Sequence, residues 1–379
     1  MGRIRVVPRG YAGPAVRFGV PFLALAVALL FGAVILALAG NNPFEAYRTM
    51  FDSSLNGWTA VTRTLALATP LILTGLAAAV AFQMRVYNIG GEGQLYIGAI
   101  TASWVGLYLP ATTPAPIMLS AMLVGGAIGG ALWALLAAVP KAYLNADEII
   151  TTLMLNFVAL SLMNYLIFGS QSFWRDPKRT VPGGKRLPES AIMPTLSGRL
   201  HIGIIIAVAV AVLLWWLLRK TSWGFQVRTI GDSPSAARYA GMSVRLKTLG
   251  VLAVSGALAA IAGVSEVSGV TKGLEPRSLA TEIGFTGIII AVVARNNPLG
   301  VVPVSVFLAA IATSGSTLQS IGIAVEVVFL LQGLIFLTVT AGEFLVTNKL
   351  TLTAPEVADA PGGPAGQPPA APSAELAPS

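Results

Sequence analysis

Phe18–Ala39 carries no charged residue, and nine further apolar stretches follow it along the chain. They are Leu65–Met84, Leu95–Leu109, Ile117–Val139, Ile149–Phe168, His201–Leu218, Leu249–Val270, Ile283–Ala294, Gly300–Leu318 and Ile323–Ala341. The hydrocarbon core of a bilayer is about 30 Å thick and takes roughly 20 residues of helix to cross. Inside it every backbone N–H and C=O must find a partner within the protein, which makes helices the form for such runs. Hydrophobic residues make up 55% of the chain and charged ones 11%, and the mean hydropathy is +0.76. The sequence therefore predicts an all-α polytopic membrane protein of about ten transmembrane segments, with both termini inside.

Three regions are expected: a basic cytoplasmic N-terminus over 1–17, a transmembrane domain over 18–345, and a disordered cytoplasmic Pro/Ala-rich tail over 346–379. Arg3, Arg5, Arg9 and Arg17 ahead of an apolar run could mark a signal peptide, but the run is full length and more spans follow. An uncleaved first helix is the better reading. The net charge of +8 is explained by a positive-inside bias and calls for no nucleic acid. Arg219–Lys247 holds six basic residues against Asp232 alone and is the firmest cytoplasmic assignment. The long insertion Gly169–Leu200 is placed outside with some structure of its own, and its six basic residues weaken the asymmetry. Without cysteine, disulfides and thiolate chemistry are excluded. A single histidine, His201, rules out a multi-histidine metal cluster and reads as interfacial rather than as a ligand.

Between the second and third spans stands Val86-Tyr87-Asn88-Ile89-Gly90-Gly91-Glu92-Gly93-Gln94. Gly90, Gly91 and Gly93 weaken a helix, and Asn88, Glu92 and Gln94 add two amides and a carboxylate. Irregular polar backbone at membrane depth is tolerated only against protein or a water-filled cavity. The stretch reads either as a helix interruption beside a transport pathway or as an ordinary cytoplasmic turn. Gly284–Pro298 lies at a comparable place in the second half, giving paired broken segments and two pseudo-repeated halves by hydropathy, without a residue-level repeat. Thr151, Thr152, Asn156 and Asn164 put polar groups on the fifth span, most of them on one helical face. Gly125, Gly126, Gly129 and Gly130 mark a close helix contact in the fourth. Asp232 or Ser233 can cap a short helix over Pro234–Gly241, which serves either as a knob for a cytoplasmic partner or as a plain connector.

Four stretches carry a family resemblance: YNIGGEGQLYIGA over Tyr87–Ala99, NADEIITTLMLNF over Asn145–Phe157, GDSPSAARYAGMSV over Gly231–Val244 and GFTGIIIAVVARNNPLG over Gly284–Gly300. The chain resembles ABC-importer permeases of the branched-chain amino acid/ribose type, and within them the nucleoside subgroup linked to basic-membrane-protein-type lipoproteins. The basic N-terminus and the Pro/Ala tail depart from that pattern. The resemblance implies a cell-membrane permease that pairs with a second permease subunit, binds a cytoplasmic ABC ATPase and receives solute from an extracytoplasmic substrate-binding lipoprotein. It places the ATPase-coupling helix on Pro234, Ala236, Ala237, Arg238, Tyr239 and Gly241.

The chain has no phosphate-binding loop of its own, since Val181–Arg186 lacks the first glycine and the hydroxyl, so it is expected to be neither an ATPase nor an enzyme and to need no cofactor or metal. Membrane lipid is its surrounding partner. Solute would move by alternating access past Asn88, Glu92, Gln94, Asn156 and Glu266. Glu266 and Glu282 could equally hold neighbouring helices or pair with Arg277 or Lys272. A ribose-type sugar permease and an ion-coupled secondary transporter are the rival readings.

Overall fold

A computed structural model describes residues 3–8, 14–169, 171–324 and 326–353. The chain is mostly helical. The helices are α1 (Pro14–Leu38), α2 (Pro43–Ser54), α3 (Trp58–Gln83), α4 (Gly91–Tyr108), α5 (Ala115–Leu144), α6 (Glu148–Asn164), α7 (Gly203–Lys220), α8 (Ser222–Asp232), α9 (Pro234–Tyr239), α10 (Val244–Ser265), α11 (Pro276–Leu279), α12 (Ile283–Val293), α13 (Pro298–Ser320) and α14 (Glu326–Thr347). Among the described residues, seven helical segments are long and apolar enough to cross a bilayer, or eight if the sharply bent α1–α2 pair is one span. That is fewer than the ten apolar stretches of the sequence, because some of the stretches are short or broken helices.

Burial separates the bundle into an inside and an outside. From Ala66 to Ala81 nearly every residue of α3 is buried, against α10, α12, α13 and α7. By contrast, α5, α6 and α7 present Val124, Ile128, Leu132, Ile150, Phe157 and Leu213 outward. In water such a surface would be an aggregation hazard; in a bilayer it matches the solvent. The α4–α5–α10 contact is made by small residues. A Cβ on Gly130 would lie 2.4 Å from Gly256 O, and one on Gly98 would lie 2.2 Å from Ala260 O, so the helix backbones touch. Gly126 and Gly130 face α10, while Gly125 and Gly129 meet Val105 and Thr101 of α4. This is the contact that the glycine pairs of the fourth span foretold.

The insertion after α6 is ordered. Strands β2 (Thr195–Ser197) and β3 (Leu200–His201) pair antiparallel, Leu187 N donates to Lys272 O at 3.0 Å, and Met193 N donates to Ser268 O at 3.0 Å. Trp174 Nε1 reaches Ile100 O on α4 at 3.1 Å. His201 is buried rather than interfacial, its Nδ1 accepting from Gly203 N at 3.2 Å. Burial pushes its pKa down and keeps the ring neutral. At the chain ends, Arg3–Pro8 pairs antiparallel with Asn348–Thr353, so part of the expected disordered tail is strand. Residues 354–379, the rest of that tail, lie outside the described residues.

Candidate functional site

The chain leaves α3 at Gln83 and does not continue outward. Arg85 is left-handed (φ 55°), and Val86–Ile89 then runs back into the bundle before α4 begins at Gly91. Asn88 fixes how deep it goes. Its Nδ2 donates to Ser255 Oγ at 2.8 Å, and Ser255 Oγ donates to Ala77 O at 2.6 Å, well inside α3. Val86, Asn88 and Gly90 of the interruption are therefore buried within the bundle, while Arg85 and Tyr87 remain exposed.

Backbone placed there must be satisfied by side chains, and one face of α6 does this. Glu148, Thr152 and Asn156 are spaced four apart and so stack along the helix. Glu148 Oε1 accepts from Tyr87 N at 3.3 Å, and its Oε2 pairs with Lys141 Nζ at 2.7 Å. Thr152 Oγ1 accepts from Ile89 N at 3.2 Å. Asn156 bonds on both sides of the break, accepting from Gly93 N and donating to Ile89 O, each at 2.8 Å. Asn88 and Gln94 close the loop on each other, with Asn88 Nδ2 donating to Gln94 Oε1 at 2.9 Å and Gln94 Nε2 donating to Asn88 Oδ1 at 3.1 Å. Asn156→Leu, which keeps the heavy-atom count and branching, leaves Gly93 N and Ile89 O unpaired. At about 1–3 kcal/mol per stranded group it is expected to lower the melting temperature of the detergent-solubilised protein and its uptake together.

Glu92 joins this interruption to the second one. Its Oε1 accepts from Tyr96 OH at 2.5 Å, and its Oε2 accepts from Gly284 N at 2.5 Å. Gly284 is in the first turn of α12, whose own N-cap residue, Glu282, is left-handed (φ 59°) and makes no side-chain cap. Glu92 thus caps α12 from another helix, at the positive end of its dipole. Thr74 Oγ1 donates to Ile283 O at 3.2 Å, nine residues before the end of α3. At 1.5 Å per residue, α12 begins about 14 Å below that end and runs beside α3 as a half-span. Gly284 permits the crossing: a Cβ there would lie 2.3 Å from Glu92 N and 2.5 Å from Glu92 Cα.

The named residues fall into distinct roles. Asn88, Glu92, Gln94 and Asn156 are all buried and brace the broken helices: Asn88 and Gln94 bond each other, Asn156 bonds the backbone of the break, and Glu92 bonds Gly284 N. The break runs from Met84 to Gly90, and of the three glycines Gly90 lies in it, as the N-cap of α4 with φ −76°. Gly91 and Gly93 are inside α4, and none of the three has positive φ. Gly93 serves close approach, since its Cβ would meet Asn156 Cα at 2.9 Å. Glu266 lies apart from the brace, opening a turn of π-helix (Glu266–Val270) after α10. It is buried, and among the described residues no side chain or backbone group hydrogen-bonds its carboxyl. Neither basic candidate pairs with it, and Arg277 instead lies over the Phe168 ring at 5.8 Å.

Glu282 is exposed beside the α12 N-terminus, level with the interior of α3. Sequence reading underrated Glu148, Ser255 and Gly284. The spacing of Glu148, Thr152 and Asn156 was the available signal for the first of these.

Between α8 and α10, α9 is capped by Ser233, whose Oγ accepts from Ala236 N at 3.3 Å, and Gly241 takes the left-handed position past its end (φ 77°). Ala237 is fully buried within this chain, whereas Tyr239 is 94% exposed and Ala236, Arg238 and Ala240 are exposed as well.

Broken helices that meet inside an apolar bundle, with their backbone paired by side chains, define a multi-pass membrane transport protein. The chain belongs to the family described as branched-chain amino acid transport system / permease component, whose pattern matches residues 60–340. It is similar to the guanosine ABC transporter permease protein NupP of Bacillus subtilis (33% identical, over 81% of this chain and 86% of the relative). The nucleoside ABC transporter permease protein NupB of Lactococcus lactis is 30% identical over 82% of this chain and 86% of its own. The glucose ABC transporter permease protein TsgB13 of Haloferax volcanii is 33% identical over 90% of this chain and 92% of its own. A second guanosine permease of Bacillus subtilis, NupQ, is 28% identical over 65% of this chain and 78% of its own. The chain is thus an ABC permease subunit of the cell membrane and not itself an enzyme, and the nucleoside-linked resemblance of its motifs is met by NupP and NupB.

Proposed function

We propose that the chain imports nucleosides by alternating access, paired with a second permease subunit and driven by a separate ATPase. The observation that carries the mechanism is the Glu92–Gly284 bond, because it couples the two broken segments into one element. Movement of either half then shifts the other. Solute would pass on the exposed side of that junction, where Glu282 stands at the N-terminus of a half-helix. An exposed carboxylate at such depth needs a water-filled cavity. Glu266, buried without a partner, would meet that pathway only in a different conformational state. The ten-segment count and the pseudo-repeat are part of the same reading, supported by α4 and α12 both starting inside the bundle. The occurrence of NupP and NupQ as two similar permeases in one organism supports a heterodimer.

The second reading is a simple-sugar permease, favoured by the likeness to TsgB13. Uptake of labelled guanosine, adenosine, ribose and glucose into cells with and without this chain separates the two. Nucleoside uptake that is lost with the chain and competed only by nucleosides is expected. Loss of glucose or ribose uptake instead would assign the sugar reading.

A further inference from the structure

Where α3, α7, α8 and the α12–α13 connection end together, on the side that carries the basic Arg219–Lys247 loop, they enclose a cleft of about 400 Å³. Arg219, Arg228 and Arg295 line it, and no acidic residue does. The transport reading uses none of the three. We propose that this cleft binds the anionic phosphate headgroup of a membrane phospholipid.

The walls are held in place. Gln83 Nε2 donates to Asn296 O at 2.9 Å and ties the end of α3 to the end of α12. Arg228 donates through Nη1 to Leu218 O, which holds its guanidinium at the cleft. Arg295 and Asn296 are both left-handed, with φ 53° and 54°. Glycine is the residue that suits such a position past a helix end. Here Arg295 stands there instead and brings its charge to the cleft lining.

A guanidinium fork matches a phosphate oxygen pair. The surroundings fix the source of the phosphate. Leu218 and Pro298 give the lining its apolar part, and Leu299, next in sequence to Pro298, is exposed. A phosphodiester with acyl chains satisfies both parts, the headgroup on the arginines and the chains along α7. A soluble phosphate would leave the apolar side bare. Basic pockets between spans on the cytoplasmic side are the expected sites for anionic headgroups.

The full-length protein, delipidated in detergent, is titrated with phosphatidylglycerol, phosphatidylcholine or inorganic phosphate and followed by native mass spectrometry and thermal shift. Phosphatidylglycerol is expected to remain bound at one or a few copies and to raise the melting temperature, and phosphatidylcholine to do neither. Arg219→Gln and Arg295→Gln should each weaken the phosphatidylglycerol effect roughly fivefold. Arg48→Gln, on exposed α2, should leave it unchanged. Equal retention of the two lipids, or no loss in the cleft variants when both fold with normal melting temperatures, overturns the proposal. Displacement of the lipid by millimolar inorganic phosphate overturns the lipid assignment in favour of a soluble anion. The outcome does not depend on which solute is carried.

Discussion

Gly284→Val is expected to abolish uptake. The new Cβ would sit 2.3 Å from Glu92 N, a backbone atom that cannot rotate aside. Either α12 or α4 must move by more than an ångström. That movement breaks the bond from Gly284 N to Glu92 Oε2 and leaves Tyr96 OH as the remaining hydrogen-bond donor among those described above for this buried carboxylate. Overpacking costs about 1–3 kcal/mol and the lost charge-assisted bond about 1.5–3 kcal/mol, so a total of roughly 2.5–6 kcal/mol is expected. The paired control is Gly91→Ala. Its added Cβ finds Gly284 O at 3.7 Å, an ordinary contact, so uptake and melting temperature should stay near wild type. Measuring solute uptake, membrane protein level and melting temperature for both separates a crossing defect from a general intolerance of glycine substitution. Wild-type uptake by Gly284→Val at normal protein levels would refute the junction between the two broken segments.

The two halves of that junction were visible in the sequence, but their contact was not. Val86–Gln94 and Gly284–Pro298 stand out because glycine and amide side chains interrupt apolar runs, and a hydropathy argument sees interruptions. Which backbone touches which is a matter of three-dimensional crossing between residues nearly two hundred positions apart, and no local pattern reports it. For the same reason Asn88, Glu92, Gln94 and Asn156 looked like polar groups awaiting a solute. In the structure Asn156 bonds the backbone on both sides of the break, Asn88 and Gln94 bond each other, and Glu92 bonds Gly284 N of the second broken segment. Glu148 follows a short loop close after Lys141, and only its four-residue spacing to Thr152 and Asn156 puts it on the same helical face. The glycine pairs of α5 were legible because their role depends only on being small on one face. The count of spans was less so: α1 bends sharply into α2, α4 begins in the interior with polar residues, and the apolar part of α14 is short, yet hydropathy counts each as one run.

The coupling assignment is tested most sharply by two substitutions on α9 that the structure sets apart. Tyr239 is 94% exposed and Arg238 is exposed beside it, so neither supports the chain's own fold. If α9 seats in a groove of the ATPase, Tyr239 is the aromatic anchor that such contacts favour, and losing it should cost about 2 kcal/mol of association, roughly a thirtyfold weaker complex. Tyr239→Ala combined with Arg238→Glu is expected to reach the membrane with an unchanged melting temperature, yet neither to co-purify with its ATPase nor to stimulate it. Ala237→Glu should behave differently. That side chain is fully buried in this chain, and an unpaired charge there destabilises the permease itself, lowering its level before any partner is met. An independent reading comes from Ser235→Cys, clean because the chain has no native cysteine. It should crosslink to the ATPase and resist label added from outside the cell. Should the Tyr239→Ala, Arg238→Glu protein bind and stimulate its ATPase as wild type does, or Ser235→Cys take label only from outside, α9 is a surface connector and the ATPase docks elsewhere.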